Sequence, residues 1–467
     1  MYVQLCVFIL IFTTWSTDGE DWSKQVAVVL ILAAIVSVVL AMTQALGVFT
    51  ESGWVMPLSG YRRPGANIGQ PNHLGTLVVM GAASLVYLNQ RRLFGSSITV
   101  LLGAVLTLGM AITESRTGLL SGLLFCAWLV ASRRALSRPF PLVWVCGFSV
   151  ALALAMFSWP ALITYIQQAD IALPGTSTLN TKAGIRLEVW LQLLSAICIK
   201  PWLGWGFRNV SVALNAVGDK YANSGPFSYA HNFILDAAIG FGLPLTILMI
   251  LVIAYWTITR VRQVKTIESG YAVGLLIPFS VHSMLEYPFA YAYFLIPAAL
   301  AVGLLERNYK PAYSWKVPRM IILVGLTIFS FVFVWIGYEY VALEEDFRVA
   351  RFEAISVGNT PAAYQPPEAL VLNQLGSLVK VVRSPPAPGM SKEEVELARM
   401  VALRFPWAVL QGNYALVLAL NGFPGEARRQ VQILHAMHGE ASFTGFKSTL
   451  KELSDTKYPQ LKAIQWL

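Results

Sequence analysis

The chain has 467 residues, of which 56% are hydrophobic and only 13% charged. A soluble domain carries roughly 25% charged residues, and here the deficit is confined to residues up to about 338, which excludes a wholly soluble protein. The net charge of +9 does not mark a nucleic-acid binder, because the basic residues sit mostly in short turns between apolar runs, where they set membrane topology.

About 20 apolar residues cross the ~30 Å hydrocarbon core of a bilayer. In lipid the backbone must pair its own polar groups, so such runs are helices. About ten spans are expected, near 2–14, 25–48, 74–89, 97–113, 116–132, 141–160, 232–257, 271–286, 289–305 and 320–338. The first is short and has no charged leading region, which suits neither a full span nor a signal peptide. The reading frame is therefore expected to open partway into a larger bundle.

Alternate turns are basic: Arg91 and Arg92; Arg133, Arg134 and Arg138; Arg260, Arg262 and Lys265; Arg307, Lys310, Lys316 and Arg319. Placing these in the cytoplasm of a bacterial inner membrane satisfies the positive-inside rule. Only the segment 15–24, with Asp18, Glu20 and Asp21 against Lys24, runs against it, and acidic residues weigh little there. The loops 49–73, 114–116, 161–231 and 286–288, and everything after 338, then face outward.

The unusual polar residues fall in those outward loops. Tyr61 to Gly75 includes Gly69-Gln70-Pro71-Asn72-His73-Leu74, a shaped turn rather than a helix, in which Asn72 also suits a helix N-cap. Thr113-Glu114-Ser115-Arg116-Thr117-Gly118 follows between two apolar helices. An arginine at a membrane boundary needs a partner, for which Glu114 is a candidate, or an anion to clamp with its planar fork. From 184 to 199 apolar residues recur at helical spacing around Arg186 and Glu188, as in an amphipathic helix on the membrane surface, with Trp190, Trp202 and Trp205 at headgroup depth. His231 and Asn232 open the next span, and His282-Ser283-Met284-Leu285-Glu286-Tyr287-Pro288 closes a later one. A lone histidine at a span end is usually an interfacial hydrogen-bonder. His73, His231 and His282 at one level, with Arg116, Arg186 and Glu286, form a less ordinary set, and intramembrane ionisable groups are functional candidates by default.

Residues 1–339 are expected to form the transmembrane domain, including the outward loop 161–231, and residues 340–467 a soluble helical domain on the same side. Helical patterns there lie near 341–356, 366–381, 391–404, 406–420, 424–438 and 444–453, and Trp407 to His438 resembles a tetratricopeptide-type hairpin. This domain is either a plain cap on the bundle or a docking surface for an acceptor. His435 and His438 share a helix face better explained by solvation than by a metal. Cys6, Cys126, Cys146 and Cys198 lie in or beside apolar segments without metal-ligand spacing and suit small buried hydrophobes. Long repeats and low-complexity tracts are absent.

Four motifs occur in order: Gly-Gln-Pro-Asn-His-Leu from Gly69; Thr-Glu-Ser-Arg-Thr-Gly from Thr113; Arg-x-x-x-Trp from Arg186 followed by Pro-x-x-Gly-x-Gly from Pro201; and His-Asn-x-x-Leu from His231. Over residues 50–310 the chain resembles the bacterial O-antigen ligase and polymerase superfamily. The first motif and the His282–Pro288 turn look like its protein O-oligosaccharyltransferase branch, the pilin glycosylation ligases. The resemblance implies an all-α, glycosyltransferase C-like membrane bundle. It implies transfer of a glycan en bloc from undecaprenyl diphosphate to an acceptor hydroxyl in the periplasm, with no nucleotide sugar, cofactor or required metal. Arg116 and Arg186 match the diphosphate-binding positions, and His231 the position that activates the acceptor. Gln70, Asn72, His73, Glu286, Tyr287, His282 and Asn232 are further candidates for contacts to substrate.

The chemistry of these residue types agrees. Departure of a diphosphate from an anomeric carbon is aided by cationic donors, and a neutral imidazole can take the proton of an attacking alcohol. The acceptor would be the Ser or Thr hydroxyl of a periplasmic protein such as a pilin. Lipid A core, or a growing O-antigen polymer, would need the same site. A polysaccharide transporter or flippase is the non-enzymatic alternative, but transporters place ionisable groups near the midplane between inverted repeats, and neither feature is visible here.

Overall fold

The computed structural model describes residues 22–48, 53, 55–56, 63–136, 139–168, 183–221, 224–309, 318–464 and 466, and every regular element among them is helical. In chain order the α-helices are α1 (Trp22–Ala45), α2 (Pro71–Gln90), α3 (Ser96–Thr113), α4 (Arg116–Ala131), α5 (Leu142–Gln168), α6 (Ala183–Ile199), α7 (Val210–Val217) and α8 (Phe233–Val261). They continue as α9 (Ile267–Leu285), α10 (Ala292–Asn308), α11 (Arg319–Ala354), α12 (Asn373–Arg383), α13 (Lys392–Arg404), α14 (Ala408–Leu420) and α15 (Pro424–Thr456). Among the described residues, five stretches are long and apolar enough to cross a membrane: Ser23–Ala45, Ser96–Thr113, Leu142–Ile163, Phe233–Val261 and Met320–Ala354. The chain is thus a multi-pass, all-helical membrane protein. The expected spans at 74–89, 116–132, 271–286 and 289–305 are helices as well, α2, α4, α9 and α10. The one expected at 2–14 lies outside the described residues.

Several boundaries differ from the sequence reading. The expected elements 320–338 and 341–356 are one continuous helix, α11, of 36 residues, because the change from apolar to acidic composition at Tyr338-Glu339 brings no proline with it, and the single Gly337 is tolerated inside a helix. Those at 424–438 and 444–453 are joined in α15 across a kink at Gly439, whose φ of 74° only glycine adopts readily. Helix α2 begins at Pro71, so its N-cap is Gln70 rather than Asn72; the Gln70 side chain accepts a bond from the His73 N–H at 3.2 Å. Helix α7 falls in a stretch where no helix was expected. Cys146 and Cys198 are exposed on α5 and α6 rather than buried, and Cys126 is half-buried on α4.

The chain folds as two compact units, residues 1–180 with 251–317, and residues 181–250 with 318–467. The first is a bundle centred on α2, in which Leu74, Met80, Tyr87 and Leu88 are fully buried. Small residues let its helices approach closely. A Cβ at Gly109 would fall 2.2 Å from Val38, so α3 lies against α1, and one at Gly75 would fall 3.2 Å from the Gly118 Cα, so α2 lies against the start of α4. The basic turns gather at one end of this bundle, where Arg91 pairs with Glu268 at 3.1 Å and Arg260 with Glu306 at 2.8 Å.

In the second unit, α6, α7, the first half of α8 and α15 share one apolar core that includes Val189, Leu193, Leu214, Ile239 and Ile433. Arg429 of α15 binds Asp219 at 2.9 Å, and the buried Asn215 and Gln430 side chains bond each other at 3.2 Å. Residue 340 lies inside α11, and the loop residues 181–250 pack with the C-terminal helices as one body. Helix α8 is bent at Gly242 (φ 78°), two residues before Pro244, which cannot donate and whose ring crowds the carbonyl four residues back. The freed backbone groups are satisfied by the Pro201–Gly206 loop. Trp205 N–H donates to the Ile239 carbonyl at 2.6 Å, and Leu243 N–H to the Pro201 carbonyl at 2.7 Å. A Cβ at Gly204 would stand 2.5 Å from the Ile239 oxygen, so the glycine of this motif is needed for the close approach.

Candidate functional site

At the end of the bundle opposite its basic turns, the first outward loop and the next turn are knitted together. Gln44 of α1 holds the loop: its Oε1 accepts from Gly65 N–H at 3.0 Å and Ala66 N–H at 2.9 Å, and its Nε2 donates to the Met56 carbonyl at 2.8 Å. Arg63 donates from Nη1 to the Glu114 carbonyl at 3.1 Å. Burial raises the Glu114 carboxyl above the usual range, and the cation that opposes this is Arg63. The cation that acts on the Glu114 carboxyl is therefore Arg63, not Arg116 as the sequence suggested. The reason is the turn itself. Glu114 takes the left-handed conformation (φ 46°) that ends α3, and Ser115 starts α4 by accepting the Gly118 N–H at 2.9 Å.

Asn72 joins the turn to the far side of the bundle. Its Oδ1 accepts from Ser115 Oγ at 2.8 Å, and its Nδ2 donates to Glu286 Oε1 at 3.2 Å. Glu286, at the end of α9, is 1% exposed. His73 lies within 2.9 Å of the Tyr293 hydroxyl through Nδ1, and His282 Nδ1 lies 2.8 Å from Thr76 Oγ1. The two imidazoles meet edge to face with ring centres 5.1 Å apart, and His73 also meets Tyr291 at 4.6 Å. His73 is 3% and His282 0% exposed, and both rings also meet Phe294 edge to face. Tyr287 stacks on Tyr291, ring centres 5.9 Å apart. This polar cluster is a scaffold, and the group it leaves exposed is Arg116, the first residue of α4, which makes no ion pair with the other described residues.

The second unit carries Arg186, His231 and Asn232. Arg186 lies on the first turn of α6, and its side chain falls outside the described part of the structure. His231 is half-buried and has φ 54°, a left-handed conformation that few non-glycine residues adopt, histidine more readily than most. The turn is held on both sides. Before it, the Ala230 carbonyl accepts from Trp190 Nε1 at 2.9 Å, and the Ala230 N–H donates to Asp236 Oδ1 at 3.0 Å. After it, Asn232 Oδ1 caps α8 by accepting from Ile234 N–H at 3.0 Å and Leu235 N–H at 3.1 Å. Phe227 meets the His231 ring edge to face at 5.1 Å. Nearby, Arg208 lies over the Tyr229 ring at 5.3 Å.

Sequence reasoning singled out neither Ser115, Thr76, Tyr291 and Tyr293 in the first unit nor Asp236 and Arg208 in the second, and it gave Trp190 a headgroup role instead of its bond to the histidine turn. Asp236 was detectable, since an acid inside an otherwise apolar run demands a reason. The partners of the two buried histidines were not, because they lie 206 and 220 positions away in sequence. In the C-terminal helices, His435 Nε2 lies 2.9 Å from Glu440 and its ring stacks on Phe443. Among the described residues no group of three or more His, Cys, Asp or Glu is arranged to hold a metal ion.

Three family models match successive stretches of the chain. The protein glycosylation ligase model covers residues 64–88, which include the Gln70–Leu74 motif. The O-antigen ligase model covers 101–250, from the Thr113–Gly118 turn through His231. The C-terminal model of the virulence factor membrane-bound polymerases covers 270–450. Two curated relatives come from Acinetobacter baylyi. A general O-oligosaccharyltransferase is 27% identical over 438 residues, 91% of this chain and 74% of the relative. A ComP-specific O-oligosaccharyltransferase is 25% identical over 343 residues, 72% of this chain and 61% of the relative, so the match spans less than two thirds of that protein. The resemblance drawn from the motifs is borne out, and with it a glycosyltransferase-type enzyme rather than a transporter.

Proposed function

We propose that this glycosyltransferase-type membrane enzyme of the O-antigen ligase and O-oligosaccharyltransferase group transfers an oligosaccharide en bloc from undecaprenyl diphosphate to a Ser or Thr hydroxyl of a periplasmic protein such as a pilin. The observation that carries the proposal is the His231 turn. It holds a half-buried imidazole at the start of α8 in a left-handed turn fixed from both sides, the kind of fixed presentation a general base needs. The Trp190, Asp236 and Asn232 bonds hold that turn.

In the proposed reaction the acceptor oxygen attacks the anomeric carbon, the bond from that carbon to the diphosphate oxygen breaks, and the hydroxyl proton passes to the His231 imidazole. Arg116 and Arg186 take the charge of the departing diphosphate. Arg116 suits this role for a physical reason. A cation at a helix N-terminus opposes the helix dipole, at about 0.3–1 kcal/mol, so it contributes nothing to α4 by itself. The same N-terminus with a guanidinium beside it favours an anion. Gln70 and Asn232 spend their side chains on helix caps, and Asn72, His73, His282 and Glu286 theirs on the scaffold, so their part is to shape the site. Tyr287, half-buried beside Tyr291, is the candidate in this group best placed to meet a sugar face. We place the active site and the C-terminal helices in the periplasm of an inner-membrane protein, with the helices after α11 a tetratricopeptide-like surface that docks the acceptor.

The O-antigen ligase match over 101–250 favours a second reading, with lipid A core as acceptor at the same site. Co-expression with a lipid-linked glycan pathway and a pilin separates the two. A glycan mass shift on the pilin supports the first reading, glycan on lipid A core supports the second, and neither product overturns the enzyme proposal.

A further inference from the structure

Helix α11 has 36 residues, about 54 Å at 1.5 Å per residue. Its residues Met320 to Tyr338 carry no charge, enough to cross a bilayer core of about 30 Å. The rest of the helix, from Glu339 to Ala354, must therefore stand out of the membrane. Trp335 (50% exposed), Tyr338 (71%) and Tyr340 (52%) mark the boundary, as aromatic residues do at headgroup level.

The segment that follows α11 does not stay at the outer end of the helix. Tyr364 donates its hydroxyl to Asp346 at 2.8 Å, well above the boundary. Six residues later the chain is tied to Glu339, whose carboxylate accepts the backbone N–H groups of Leu370 at 2.9 Å, Val371 at 3.0 Å and Leu372 at 2.8 Å, and Trp335 Nε1 at 2.7 Å. Helix α12 then climbs again, and Arg383 returns to Asp346 at 2.5 Å and Glu353 at 2.8 Å. Glu339 lies seven residues before Asp346, so the chain descends by about 10 Å and reaches its lowest point at Leu370-Val371. At that point Leu370 is 79% exposed and Val371 51% exposed. Two bare aliphatic side chains held at the depth of Trp335 and Tyr338 meet lipid, not water.

We infer that the 366–372 segment is a membrane-surface anchor, which inserts Leu370 and Val371 into the headgroup and acyl boundary of the bilayer that α11 crosses. The Glu339 cradle explains how a carboxylate is tolerated there: four N–H donors replace its water. The anchor holds the α11–α12 segment against the membrane surface, beside the tethers already given by α11 and by the core that α15 shares with α8.

The test uses the full chain in lipid nanodiscs, with Cys6, Cys126, Cys146 and Cys198 replaced by Ala and one nitroxide-labelled cysteine introduced. Labels at Val371→Cys, at Leu370→Cys and, as references, at Tyr338→Cys for the membrane and Glu393→Cys for exposed α13 are compared by collision with oxygen and with a water-soluble nickel complex. The labels at 370 and 371 are expected to match the one at 338, with a nickel-to-oxygen accessibility ratio several-fold below that at 393. Adding Glu339→Ala should raise the ratio at 371 towards that at 393. Labels at 370 and 371 that are as open to nickel as the one at 393 overturn the anchor, and a ratio at 371 unchanged by Glu339→Ala overturns the role of the cradle.

Discussion

The histidines of the first unit and the histidine of the second have the same sequence signature, a lone imidazole at the end of an apolar helix, and opposite structural situations. His73 and His282 are buried, each against one hydroxyl and several aromatic edges, in unstrained helical backbone. His231 is half-buried, in left-handed backbone, at a turn clamped from both sides. The difference teaches that a span-end histidine is not a role. The scaffold histidines hold helices α2, α9 and α10 together, and a catalytic one must be presented.

The comparison can be broken by substitution. The largest effect is expected for His231→Ala: transfer of a lipid-linked glycan should fall by about 10²–10⁴, the usual worth of general-base assistance, with membrane insertion and thermal midpoint nearly unchanged. Full transfer by that variant would sink the distinction. His282→Ala should do the reverse. It leaves a cavity and takes from the buried Thr76 hydroxyl one of its two partners, the Asn72 carbonyl remaining, at about 2–4 kcal/mol of stability, read as a lower denaturation midpoint, while turnover per folded molecule stays within a few-fold of the parent. Trp190→Phe keeps an aromatic ring and removes only the N–H that holds Ala230. A loss of about 1 kcal/mol of positioning, or five- to tenfold in kcat with KM unchanged, would show that the turn at His231 is maintained from α6. The smallest effect is expected for Ser115→Ala, which removes the α4 N-cap at about 1 kcal/mol. If Arg116 is steered through the Asn72–Ser115 contact, KM for the lipid-linked glycan should rise more than kcat falls; an equal change in both would reduce the contact to a plain cap.

Local features were legible where local physics decides them. The helices expected at 97–113 and 116–132 fall within about a residue of the observed Ser96–Thr113 and Arg116–Ala131, whereas the cap expected at Asn72 falls two residues earlier, at Gln70. The neighbours of Glu114 were not legible, since Arg63 and Arg116 are both cations within reach in sequence and only the left-handed turn at 114 turns the glutamate to one of them. The continuity of α11 was misread because a change in composition was taken as a change in structure.

By itself the sequence determined that this is a helical membrane protein, and where most of its helices run, because a backbone in lipid has no other way to satisfy its hydrogen bonds. It also carried the family motifs. That His73 and His282 are packed while His231 is half-buried, that Glu114 faces Arg63, and that residues 181–250 share a core with the C-terminal helices, were decided only in three dimensions. Each of these depends on contacts between segments far apart in the chain, and no local propensity encodes such contacts.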